Sequence, residues 1–211
     1  MVVKQYEVGR FAIFSYVIGD EEAGEGLVID PSGETDMLIS EAESYGLRIK
    51  YVVNTHGHVD HIMGNSEMVK KTKAKIVIHE KEADRLTRTR PDLLDMFGAT
   101  PSPPADLLVK QGDVIQVGKV GLQVLHTPGH SPGGICIHSD GKVFTGDTLF
   151  VGGVGRTDLP GGSWPLMLKS IQTKLLTLPD ETIVLPGHNY GAAPTSTIGN
   201  EKRYNPFLRT E

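Results

Sequence analysis

The sequence has almost no cysteine. Cys136 is alone among 211 residues, which excludes an internal disulfide framework and leaves no thiolate set for a structural metal. An excess of basic charge is also missing. Lys and Arg number 21 against 26 Asp and Glu, for a net charge of −5, and the pI near 5.9 argues against a nucleic-acid partner. Lys70, Lys71, Lys73 and Lys75 gather at a spacing that suits a solvated helix face. No apolar run approaches membrane length and the N-terminus has no basic-then-apolar signal, so we expect no membrane partner and a cytoplasmic location. What remains, 38% hydrophobic and 22% charged, is an ordinary globular composition with enough chain to bury a core. We expect one domain over 1–211, built of two similar halves, roughly 1–110 and 111–211.

One stretch dominates the chain: Thr55-His56-Gly57-His58-Val59-Asp60-His61. It follows the run Ile49, Tyr51, Val52, Val53, whose β-branched and aromatic residues predict a buried strand ending at Asn54-Thr55. His56 and His58 alternate as in extended chain and so point to one side. Asp60 and His61 fall where a helix starts, and an acid suits a first turn. Three imidazoles and a carboxylate this close together point to a held metal ion.

The pattern elsewhere predicts alternating strands and helices. Apolar runs over Phe11–Ile18 and Gly26–Asp30 open the chain as a hairpin or meander. Helical spacing runs over Thr35–Tyr45, with Gly46 at its C-terminal end. A short helix over Asn65–Lys71, a strand over Ala74–Ile78 and a helix over Glu80–Arg90 follow. Residues 91–106, rich in proline, read as a long irregular loop of the kind that serves as a lid or a connector. The second half predicts strands over Asp113–Val117, Val120–Leu125, Gly134–His138 and Val143–Thr145, with Asp140-Gly141 as a tight hairpin turn. A glycine-rich loop then runs through Gly155, an amphipathic helix over Pro165–Leu176 and a last strand over Thr182–Leu185. This order predicts an α/β fold, a four-layer αββα sandwich with helices outside two sheets.

His56, His130, Asp147 and His188 each follow a short apolar strand and sit beside Gly or Pro, which lets the backbone turn sharply. Strand ends are where sites collect. So His56, His58, Asp60, His61, His130, Asp147 and His188 form the candidate metal set. Seven ligands exceed the four of one tetrahedral ion and suit two divalent ions sharing a carboxylate. Zinc is the first candidate, with iron or manganese equally compatible with His and carboxylate donors. His79, His126 and His138 also end strands, but we read them as hydrogen-bonded structural residues, and Cys136 as a small buried hydrophobe.

The motifs THGHVDH, TPGH, the Gly-Asp at Asp147 and the PGH at His188 together resemble the metallo-β-lactamase superfamily along essentially the whole chain. Within it, Gly155-Arg156-Thr157-Asp158 and His188-Asn189-Tyr190 resemble the glyoxalase II, or hydroxyacylglutathione hydrolase, group. The resemblance implies the αββα sandwich, one ion on His56, His58 and His130, a second on Asp60, His61 and His188, and Asp147 between them. Asp60, His61 and Asp147 are then the catalytic centre. The long enzymes of that group carry a C-terminal helical domain that completes the glutathione site. This chain resembles the short, single-domain members, which leaves the thiol carrier open.

The implied reaction is hydrolysis of a small-molecule thioester such as S-lactoylglutathione. Two cations lower the pKa of a shared water from about 15.7 towards 7. The resulting metal-bound hydroxide attacks the carbonyl, and a thiolate of pKa about 8.5 departs without a strong general acid. Arg156 is the candidate grip for a substrate carboxylate, with a salt bridge to Asp158 as the alternative. Tyr190 is a candidate for hydrogen bonding to substrate or for packing. The same Gly-Arg-Thr-Asp and Tyr, with Ser196-Thr197 and Asn205-Pro206, resemble the persulfide dioxygenases, which implies a single iron on His56, His130 and Asp147 acting on glutathione persulfide. A silent, metal-stabilised binding module is disfavoured by a ligand set too large for a closed structural site. β-Lactam hydrolysis is disfavoured by the missing export signal and ligand cysteine.

Overall fold

A computed structural model describes residues 1–208. The first sheet has six strands in sequential order: β1 (Val2–Val8), β2 (Ile13–Asp20), β3 (Glu25–Ile29), β4 (Arg48–Val53), β5 (Lys75–His79) and β6 (Leu107–Val109). β1 to β3 are antiparallel, and β3 to β6 run parallel through helical crossovers. These crossovers carry α1 (Thr35–Ser44), α2 (Val59–Ile62), α3 (Asn65–Thr72), α4 (Ala83–Thr87) and α5 (Pro91–Phe97). The second sheet contains β7 (Val114–Val117), β8 (Val120–His126), β9 (Ile135–Ser139) and β10 (Lys142–Gly146). A small hairpin, β11 (Leu149–Phe150) with β12 (Gly153–Val154), precedes α6 (Trp164–Ser170). The chain then adds β13 (Ile183–Pro186), β14 (Ser196–Thr197) and α7 (Ile198–Tyr204). The order across this sheet is β14-β13-β10-β9-β8-β7.

The period-two alternation of the strands assigns each face to a layer. On β2, Phe14, Tyr16 and Ile18 face the second sheet, while Ile13 and Val17 face the helices. On β9, Ile135 and Ile137 face the first sheet, while Cys136 packs outward with Met167, Ile171 and Leu175. Three apolar layers therefore hold four layers of structure together, the αββα sandwich. Each fully buried apolar side chain in them contributes roughly 1.5–3 kcal/mol. Tyr16 ties the sheets directly: its ring meets Phe144 edge-on at 5.0 Å, and its hydroxyl donates to the Pro186 carbonyl at 2.5 Å. No helix among the described residues is long and apolar enough to cross a membrane.

The structure corrects several expectations. Residues 91–106 are not wholly irregular, because Pro91–Phe97 is helical. Pro91 stands at the helix start, where a missing N–H costs nothing, and Gly98 closes the helix at φ 63°. The helix expected over Glu80–Arg90 is only Ala83–Thr87. Arg90, preceding a proline, is extended at φ −64°, ψ 140°. The expected helix over Pro165–Leu176 changes to a π-type segment at Ile171–Leu175. The glycine-rich loop contains the β11–β12 hairpin, and Ile183–Pro186 is not the last strand. After it, Thr197 caps α7 by accepting from the Asn200 amide at 3.2 Å. Strand β1 lies ahead of the first expected apolar run, and β6 falls in none of the expected strands. The Asp140-Gly141 turn does form, with φ of 46° and 69°.

Candidate metal centre

Four loops leave the C-terminal ends of β4, β8, β10 and β13 on the same rim of the sandwich, and each delivers ligand-type side chains. The β13 loop is stitched to the other sheet: Phe14 N–H donates to the Gly187 carbonyl and Asn189 N–H to the Ala12 carbonyl, both at 2.8 Å. Those bonds bring His188 over the His56 cluster. The seven side chains converge as a result. His130 Nε2 lies 3.2 Å from His56 Nε2 and 2.8 Å from His58 Nδ1. His188 Nε2 lies 3.3 Å from His61 Nε2 and 3.6 Å from Asp60 Oδ2. Asp147 stands between the two groups, 3.3 Å from His61, 3.4 Å from His130 and 3.4 Å from His188.

The donor chemistry fits a cation. His130 Nδ1 lies 2.7 Å from the Arg156 carbonyl and His188 Nδ1 lies 3.0 Å from the Phe11 carbonyl. A carbonyl only accepts, so these nitrogens carry the ring protons. His61 Nδ1 is held by Asp30 Oδ2 at 2.9 Å. Thr55 donates its hydroxyl to Asp30 at 2.6 Å, so its oxygen is left to accept from His56 Nδ1 at 3.1 Å. Four protonated Nδ1 atoms leave four Nε2 lone pairs aimed inward at one another. Lone pairs facing at about 3.3 Å match two donors on one tetrahedral ion at about 2.0–2.1 Å. Asp147 Oδ1 is buried with no hydrogen-bond partner among the described residues, which a bound cation would satisfy. Three sets of three ligand atoms lie within 4.8 Å of one another: His56, His58, His130; His56, His61, Asp147; and Asp60, His61, His188.

Electrostatics divide the cluster. Burial, and then the positive fields of neighbouring imidazoles, hold His56 well below its ordinary range and His58 at about 3. Both are thus neutral, the ligating form. Burial also lowers His61, but Asp147, Asp60 and Asp30 outweigh it and hold that imidazole well above its usual value; the positive charge this favours at Nε2 is the one a ligated cation would supply in exchange for the proton. Asp147 is held well below the usual carboxylate range against its own burial, by His61 and His188.

Two supporting residues escaped the sequence reading. Asp30 ends β3 in a left-handed conformation (φ 47°) and is almost wholly buried. It accepts from Thr55 N–H at 2.7 Å as well as from the Thr55 hydroxyl. An acid directly after a buried strand was a visible signal. Glu82, fully buried on the turn before α4, gave none. His79 and His126 lie outside the cluster, stacked face to face at 4.1 Å, and His138 is half-buried on β9. Arg156 pairs bidentately with Asp158 at 2.8 and 2.6 Å. Tyr190 lies flat on the His188 ring at 4.3 Å. Both also border a cavity of about 640 Å³ that opens over Asp60, Asp147 and His188, with Leu93 and Phe97 of α5 on its wall.

The chain belongs to the metallo-beta-lactamase superfamily, whose family model matches residues 8–188. Cluster and family together make this a divalent-metal site of an enzyme superfamily. The chain is 36% identical over 204 residues to hydroxyacylglutathione hydrolase GloC of Haemophilus influenzae, covering 92% of each chain. It is 33% identical over 201 residues to the mitochondrial persulfide dioxygenase ETHE1 of Homo sapiens, covering 92% of this chain and 71% of that protein. Among solved structures, the B3 metallo-beta-lactamase BLEG-1 superposes with a TM-score of 0.89 at 34% identity, covering 99% and 100% of the two chains. A protein solved in a di-iron-bound form superposes at 0.84 with 33% identity, covering 98% and 100%. The reaction therefore differs among relatives of comparable similarity.

Proposed function

We propose that the chain is a hydrolase of small-molecule thioesters, of the hydroxyacylglutathione type, working with two divalent cations. The observation that carries this reading is the pair of three-ligand groups, His56/His58/His130 and Asp60/His61/His188, flanking the shared carboxylate of Asp147. Two such cations, when bound, supply Lewis acidity and a water ionised near neutral pH. The chain's own residues do the rest. Asp60, one-fifth exposed, is the centre's acid nearest the open cavity and is positioned to orient a water or a substrate carbonyl. His61 and Asp147 are the other catalytic members, fixed by Asp30 and by the imidazoles around them. The side chains of Leu93, Phe97 and Phe150 give the approach to the reacting bond an apolar wall. A departing thiolate of pKa about 8.5 needs no strong acid, consistent with a wall that offers none beyond the ligand carboxylates. Arg156, oriented by Asp158, keeps its remaining guanidinium N–H groups for a substrate carboxylate, and Tyr190 presents its hydroxyl beside His188.

The second reading is a mononuclear-iron persulfide dioxygenase. It is favoured by the likeness to ETHE1 and by the compact His56, His130, Asp147 set, a 2-His-1-carboxylate arrangement. The test is a parallel assay of purified protein with its native metal. Hydrolysis of S-lactoylglutathione, with near two ions per chain by elemental analysis, supports the hydrolase. Oxygen uptake with glutathione persulfide and one iron per chain overturns it. Turnover of a β-lactam without thioester hydrolysis overturns the thioester assignment and keeps the two-ion centre.

A further inference from the structure

Glu82 is a fully buried acid whose side chain, among the described residues, hydrogen-bonds to none of the seven ligands, and nothing in the proposed chemistry uses it. Its carboxylate nonetheless reaches both loops that carry the three-imidazole group. Oε2 accepts from the Gly57 amide at 3.0 Å, and Gly57 lies between His56 and His58. Oε1 accepts from the Gly133 amide at 2.8 Å, three residues beyond His130. Arg85 Nε, at 3.2 Å, balances the charge, and Arg85 Nη2 donates to the Pro160 carbonyl at 2.8 Å. Pro160 belongs to the segment whose Arg156 carbonyl holds His130 Nδ1. The carboxylate thus ties two loops together directly and a third through Arg85, and each of them sets the place of a ligand in the same group.

The approach is close enough to require glycine on both sides. A Cβ on Gly57 would stand 2.6 Å from Arg85 Cβ, and one on Gly133 would stand 2.7 Å from Glu82 Cγ. A carboxylate buried without solvent is tolerated only when its oxygens are filled. Here they are filled by the two ligand loops and the guanidinium, so the separation of those loops is fixed by the width of one carboxylate. Among the described residues, no hydrogen bond or ion pair joins Glu82 to Asp60, His61 or His188. Support for that second group comes from Asp30 and the Phe11 carbonyl.

We propose that Glu82 is a positioning residue for the His56/His58/His130 group and sets its affinity for a divalent cation, leaving the Asp60/His61/His188 group unaffected. This rests on reading each group as a cation site. Outer partners of metal ligands typically change affinity 10- to 100-fold. The probe is zinc, titrated into metal-free protein against a chromophoric chelator. With Asp60→Ala as background the Asp60/His61/His188 group is broken while the three-imidazole group keeps all its members, and Glu82→Gln should weaken zinc affinity about 10- to 100-fold. With His58→Ala as background the other group remains, and the same substitution should change its affinity by less than about twofold. Equal weakening in both backgrounds, the result of a merely structural role, overturns the proposal, as does no change in either. Wild type that takes up no zinc overturns the metal-centre reading itself. If Glu82→Gln does not fold, Glu82→Asp, which retains the charge but reaches only one loop, should show the same contrast at smaller size.

Discussion

The molecule holds two gatherings of histidine at strand ends, and they behave differently. His79 and His126 lie flat against each other, 14° from parallel. His79 Nδ1 accepts from the Lys81 amide at 3.2 Å, and His126 Nε2 donates to the Pro132 carbonyl at 3.1 Å. One nitrogen of each ring is thus taken up by backbone rather than turned toward the other ring. In the seven-residue centre the rings of His56, His58 and His130 meet edge-on, 82–86° apart. There the outer nitrogens are held by Asp30, Thr55 and two carbonyls, so the inner ones face one another. Local polypeptide position does not separate the two cases. What separates them is where the hydrogen bonds send the second nitrogen of each ring.

The hardest blow to this contrast is Asp147→Ala, which removes the carboxylate shared by both groups. Loss of several kcal/mol of charge stabilisation predicts a fall in kcat/KM of about a thousandfold or more, measured with the preferred thioester. Asp30→Asn takes away the acceptor that fixes the His61 tautomer and should lower cation affinity about 10- to 100-fold with the fold retained, read by chelator competition and circular dichroism. Arg156→Gln should raise KM for an anionic thioester about threefold to tenfold at nearly constant kcat. An unchanged KM would leave Arg156 only its pair with Asp158. His79→Gln should leave metal content and activity unchanged and alter only the pH dependence of stability. Burial, and then His126, hold His79 down at about 4, whereas a histidine in the unfolded chain titrates near 6.5. The unfolded state therefore binds more protons between those values. The stability advantage of wild type over His79→Gln is full above about pH 6.5 and lost as pH falls towards 4. Thermal melts across that window check it.

Much of this was legible in the chain. The apolar runs over Phe11–Ile18, Gly26–Asp30 and Gly134–His138 marked strands, and Gly or Pro beside His130, Asp147 and His188 marked the strand ends that converge. Pro91 misled because proline breaks a helix inside it but begins one at its first position, and only the neighbouring backbone decides which. β6 and β14 were invisible because edge strands of two or three residues carry no periodicity. Asp30 obeyed the same strand-end rule as the ligands and was open to inference. Glu82 was not: a buried acid bridging two distant amides leaves no local pattern, since its partners lie 25 and 51 residues away.

The proposed hydrolase needs two ions sitting astride Asp147. The direct measurement is anomalous X-ray diffraction from crystals of the metal-loaded protein, recorded on both sides of the metal's absorption edge. We predict two peaks, one among His56, His58 and His130, the other among Asp60, His61 and His188, with Asp147 touching both and no peak at His79–His126. A single peak on His56, His130 and Asp147, with the second group empty at saturating metal, would contradict it.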